Sequence, residues 1–157
     1  MIYQLSLQTT GLAAGILLIA SHAAALANPV GAMRFAKALP RSRAMAGVFL
    51  AIAAAWGFLM LQDLDLGEFS RLRGTMLVAV VAGAILSWIY VEEFLAVRSL
   101  GMLLLLAADP LLESAQLRNE SSRLLLVLLA YLWATAGLFF VGMPYLLRDL
   151  VAWFTAN

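Results

Sequence analysis

Cysteine is absent from this chain of 157 residues. That removes disulfide staples, thiolate metal sites, thiol nucleophiles and disulfide exchange together. It also leaves the compartment open, because a chain without thiols suits either side of a membrane. Histidine occurs once, at His22, so neither a His-x-x-x-His pair nor a bis-histidine haem site exists within the chain. Charge is scarce as well: 12% of residues are Asp, Glu, Lys or Arg, against about a quarter in an ordinary soluble domain. No Gly-x-Ser-x-Gly, P-loop, dinucleotide fingerprint or Asp-x-x-Asp box is present, and these are the patterns that place nucleophiles, phosphates and metals. No enzyme activity and no cofactor are expected.

What is present is apolar. Hydrophobic residues make up 64% of the chain and the mean hydropathy is +0.96. A soluble fold of this size has too little interior to hide that much apolar surface, so a bilayer is the expected solvent. Ten Lys and Arg against nine Asp and Glu leave a formal charge of +1. Nucleic acid is not an expected partner, since it calls for a strongly basic stripe. Nine of the ten cations are arginine, Lys37 being the exception.

A helix crossing a hydrocarbon core needs about 20 mostly apolar residues. The sequence offers such stretches near 5–27, 44–61, 75–91 and 124–147. A weaker one at 97–116 is interrupted by Asp109-Pro110. The expected fold is an all-α integral membrane protein, a single transmembrane helical domain over 1–157 with about five spans. The count falls to four if 97–116 is re-entrant or interfacial. Arg148-Asp149 followed by Trp153 and Phe154 suggests an interfacial segment at 148–157, since amphipathic aromatics favour the headgroup level. The N-terminal apolar stretch ends in Ala25-Leu26-Ala27, which imitates a cleavage site, but residues 1–10 carry no Lys or Arg. A secretory signal begins with a positive region, so the stretch is read as a retained span.

With five spans, Arg34, Lys37, Arg41, Arg43, Arg98 and Arg148 fall on one side, and Arg71, Arg73, Arg118 and Arg123 on the other. The short first connector holds four cations and no acid, and such a loop stays in the cytoplasm. The expected placement is a bacterial inner membrane, N-terminus outside and C-terminus inside. Those four residues, Arg34, Lys37, Arg41 and Arg43, are also candidate contacts for phosphate headgroups.

Small residues spaced four apart mark where helices in lipid approach closely. They occur at Gly11 and Gly15, at Gly47, Ala51 and Ala55, at Ala79, Gly83 and Ser87, and at Ala130 and Ala134, with Gly137 further on. Tyr131 and Trp133 fall deep in their span and are expected between helices or against a partner.

Ionisable groups at membrane depth are costly and need a reason to be there. Glu92, Glu93 and Arg98 fit a salt-bridged turn between two spans, or a proton or cation site. Asp109 before Pro110 fits either a helix end at the surface or a carboxylate at a helix break, which is how transporters build ion sites. His22 fits an interhelical hydrogen bond, an interfacial position or an ion or proton site shared with those groups. Asp63, Asp65 and Glu68 read as a solvated acidic loop rather than a cation loop. The expected function is a small non-catalytic membrane protein, an accessory or scaffolding subunit or a homo-oligomer, with the lipid bilayer and other membrane subunits as partners. The alternatives are a transporter, channel or proton-conducting component using Glu92, Glu93, Arg98 and Asp109, and a lipid-modifying enzyme.

Overall fold

Short polar residues cap the first three α-helices. The computed structural model describes residues 5–91 and 93–156. Helix α1 spans Leu7–Ala27, and the Ser6 hydroxyl accepts the Thr9 amide at 3.1 Å. Asn28 ends α1 and starts α2 (Pro29–Ala38), its side-chain oxygen accepting the Gly31 amide at 2.9 Å. Pro29 suits the first helical position, because its missing N–H would have no partner there. A 3-10 turn, Leu39–Arg41, leads to Ser42, whose hydroxyl caps α3 (Arg43–Asp63) through the Met45 amide. A second 3-10 turn, Gly67–Leu72, precedes α4 (Arg73–Tyr90). Then come α5 (Leu95–Ala115), α6 (Arg123–Gly142) and α7 (Tyr145–Ala156). No strand occurs among the described residues. Five helical stretches are long and apolar enough to cross a membrane: α1, α3, Gly67–Tyr90, α5 and α6.

The stretch with the weakest sequence signal holds the centre. Helix α5 runs through Pro110 for 21 residues, so residues 97–115 lie within one helix that is long and apolar enough to cross a membrane. It packs chiefly against α6 and α3, and also meets α1. Pro110 offers no N–H to the Leu106 carbonyl, which costs the helix one rung.

Small residues share the interior with a set of leucines. Buried positions on α3, α5 and α6 include Ala46, Ala53, Ala96, Ala108, Ala115 and Ala130, along with Ser99, Gly101 and Gly137. Many large side chains nevertheless point outward, among them Ile19, Leu26, Val78 and Leu125, all more than 60% exposed. A soluble fold leaves fewer of them exposed, since burying large apolar groups is what water rewards. Helices in an apolar solvent gain instead from close backbone approach over small residues. The tightest approach is between α5 and α6. A Cβ on Gly101 would lie 2.8 Å from the Gly137 carbonyl oxygen, and a Cβ on Gly137 would lie 2.8 Å from that of Gly101.

Two buried clusters define the ends of the bundle. Leu7, Ala108, Leu111, Ala115 and Leu126 join the start of α1 to the end of α5 and the start of α6. Ala46, Leu50, Leu95 and Ala96 join the start of α3 to the start of α5, with Val91 packed against them. Between them sits Ser99, fully buried, whose hydroxyl has no hydrogen-bond partner. A buried hydroxyl left unsatisfied is a liability. Ser99→Ala is therefore expected to raise stability by about 1 kcal/mol, read as a later midpoint in a denaturing-detergent titration of helix content. A loss of stability would mean that the hydroxyl is bonded after all.

Candidate functional site

The end of the bundle that holds the first connector gathers most of the cations. Helix α2 carries Arg34 and Lys37, and the following 3-10 turn buries Leu39 and Pro40 while presenting Arg41 to the outside. This turn rests against α5, and α7 lies against α2. The contact between α7 and α2 brings Arg148 to the same place from the far end of the sequence. Lys37, Arg41 and Arg148 line one cavity of about 340 Å³, with Pro40, Phe94 and Val151 supplying apolar wall.

Phe94 shapes this cavity. It stands just before α5 with φ at +57°, in the left-handed region, which costs a side chain such as phenylalanine roughly 1–2 kcal/mol. That conformation turns the chain from α4 into α5. The Arg148 guanidinium lies 5.9 Å from the centroid of the Phe94 ring, within reach of a cation–π attraction. Arg148 also pairs with Asp149 at 2.8 Å, both side chains about half exposed. Asp149 therefore offsets part of the Arg148 charge.

The four connector cations divide into two kinds. Arg43 is engaged in structure: its guanidinium sits 5.2 Å from the Trp88 ring centroid and donates to the Trp88 carbonyl at 3.4 Å, tying α3 to the end of α4. Lys37 and Arg41 face the cavity. Arg34 is exposed on α2 outside it. Arg148 is the member that the connector motif does not contain. Its only signal in the sequence is the Lys/Arg census, which puts it on the same side.

The remaining candidates stay apart. Glu92 lies outside the described residues. Glu93 is exposed in the turn before α5, and Arg98 is exposed on the first turn of that helix. Asp109 is half-buried on α5, eleven residues beyond Arg98, about 16 Å at the helical rise, with Glu113 one turn further on. His22 is exposed near the end of α1, and its Nδ1 bonds the Leu18 carbonyl of its own helix at 2.7 Å. That contact is within the helix, where an interhelical bond was one expectation. Tyr131 is 62% exposed and points outward, whereas Trp133 packs against the cluster around Leu126 and Ala130. In the acidic loop, Asp65 accepts the Gly67 amide and Arg73 donates to the Leu64 carbonyl. Among the described residues no three His, Asp or Glu side chains gather as metal ligands would.

The opposite end has a larger, mainly apolar groove of about 840 Å³ between α1 and α6. Gly11, Gly15, Leu125 and Leu129 form its walls, with Arg118 and Glu120 at its mouth. The sequence stripe at Gly11 and Gly15 thus borders a gap: a Cβ on Gly15 would meet nothing within 4 Å.

Comparison with family models, with curated proteins and with solved structures finds no match for this chain.

Proposed function

We propose that this chain is a non-catalytic integral membrane protein, an accessory or scaffolding subunit that assembles through its outer helices with copies of itself or with other membrane helices. The observation that carries this reading is the state of α4. None of its residues is buried, and it leans chiefly on α3. Its small-residue stripe offers Ala79 and Gly83 outward, and a Cβ on Gly83 would meet nothing within 4 Å. Small residues are what helices in lipid use for close approach, and no described helix of this chain uses these. The many large apolar side chains left exposed on five span-length helices support the membrane setting. The six cations at the connector end support a bacterial inner membrane with that end in the cytoplasm.

The absence of cysteine makes the test clean. Gly83→Cys introduces the only thiol in the chain, and mild oxidation in native membranes is expected to trap a disulfide dimer. Ile89→Cys, exposed on another side of α4, is expected to trap much less. Monomers only from both variants, together with a lone chain in native mass spectrometry of the gently extracted protein, would sink the assembly reading.

The transport reading rests on one feature, the Asp109-Pro110 step inside the central helix with Glu113 a turn away. Neither the cation-lined cavity nor the large apolar groove is lined by Glu93, Arg98, Asp109 or His22, so these groups do not build a shared pathway there. Unchanged proton flux in proteoliposomes on Asp109→Asn would be the expected outcome under the assembly reading.

A further inference from the structure

We propose that the cavity at the connector end is a binding site for a phosphate-bearing group, held by Lys37, Arg41 and Arg148. Three separate segments supply these cations: the end of α2, the 3-10 turn and α7. A topology signal needs cations only near the membrane surface. It does not require a residue more than a hundred positions away to fold back and complete a concave set.

Charge and shape select the ligand class. Among the described residues, the acids that stand against these three cations are Asp149, paired with Arg148, and Glu93, exposed and outside the lining. Counting Asp149, the set keeps a positive excess suited to a mono- or dianion. Arginine's planar fork matches phosphate oxygens in pairs, and lysine adds a point charge. Neither Lys37 nor Arg41 makes a hydrogen bond or ion pair through its side chain with another described residue, so both heads are available to an anion. Pro40, Phe94 and Val151 offer contact for a glycerol or other carbon portion, and about 340 Å³ exceeds what a bare phosphate fills. The N-terminus of α5 adds to the field. It has no acidic residue in its first turn and no side-chain cap. Its residues Leu95 and Ala96 border a small adjoining space that shares Pro40 and Arg41 with the cavity. Amide groups at such a helix end favour negative charge.

The phosphate has two possible sources, a lipid headgroup and a soluble phosphate compound, and the test separates them. The purified protein in a neutral detergent is titrated with inorganic phosphate at constant ionic strength. In parallel it is titrated with phosphatidylglycerol in mixed micelles, with phosphatidylcholine as the control lipid. A ligand that binds only the folded state raises the unfolding midpoint. A rise with phosphatidylglycerol alone assigns a headgroup site, a rise with inorganic phosphate alone assigns a soluble ligand, and a rise with both assigns phosphate recognition itself. Lys37→Gln with Arg41→Gln is expected to weaken the effective ligand about tenfold or more, the scale of losing charge-assisted hydrogen bonds. This pair is chosen because it breaks no side-chain hydrogen bond or ion pair among the described residues. Adding Arg148→Gln is expected to abolish the shift. Arg71→Gln with Arg118→Gln, at the other end of the bundle, is expected to leave it intact. No shift in the unaltered protein with either ligand, or an equal shift in the Lys37→Gln, Arg41→Gln variant, overturns the assignment.

Discussion

Gly101→Leu is expected to yield no folded bundle: extracted protein that aggregates or elutes as a broad species with reduced helix content. Helices α5 and α6 cross backbone to backbone at Gly101 and Gly137, where a Cβ on Gly101 already falls 2.8 Å from the Gly137 carbonyl oxygen and 2.9 Å from the Phe140 Cβ. Neither neighbour is the flexible end of a side chain, so the helices themselves must move apart. A single added methyl, as in Gly101→Ala or Gly137→Ala, is expected to cost about 1–3 kcal/mol, the usual range for overpacking. Because the two sites share one crossing, the double alanine variant should lose less than the sum, the first substitution having already opened the gap. Gly15→Ala meets open space and is expected to stay within about 0.5 kcal/mol of the parent. Denaturing-detergent titrations followed by circular dichroism read all of these. A monodisperse, equally stable Gly101→Leu protein would refute the α5–α6 crossing.

The second large effect is expected where α3 meets α4. A Cβ on Gly47 would sit 3.1 Å from the Trp88 ring, and the Arg43 guanidinium lies over that same ring. Gly47→Leu should displace Trp88 and cost about 2–3 kcal/mol. Trp88→Ala alone should also destabilise, by roughly 1–3 kcal/mol, less than a fully buried tryptophan because the ring is 39% exposed. Combined, the two substitutions exchange a large group for a small one across the same contact. The double variant is therefore expected to recover at least half of the Gly47→Leu loss, a coupling that a double-mutant cycle measures directly. Strictly additive losses would show that Gly47 and Trp88 do not face each other.

Reading the chain in one dimension succeeds where a signal is local. The long apolar runs form span-length helices, although the first connector, read as a link, itself holds the helix α2. It fails where the signal is relational. Residues 97–116 look weakest because hydropathy rewards lipid exposure, and the central helix of a bundle has the least of it. Gly101 stands in no four-residue stripe and so carries no mark, yet it lies at the tightest helix crossing. The stripes that do stand out at Gly11 and Gly15 and at Ala79 and Gly83 face a groove and open surface. Spacing reports that a helix permits close approach. Whether another helix takes up the offer depends on the fold.

The candidate site divides in the same manner. Lys37 and Arg41 are visible as part of an acid-free connector, but Arg34 and Arg43 look equivalent to them until the structure assigns one to the open surface and the other to Trp88. Arg148 joins only because α7 folds back onto α2. By itself the sequence determined the helical class, the number of span-length stretches and the side on which the cations gather, since all three follow from composition along the chain and the cost of placing polar groups in an apolar solvent. The tertiary structure alone decided which helix lies at the centre, which glycines touch and which cations share a cavity. Those outcomes depend on side-chain volume at helix crossings, a property of residue pairs far apart in the chain.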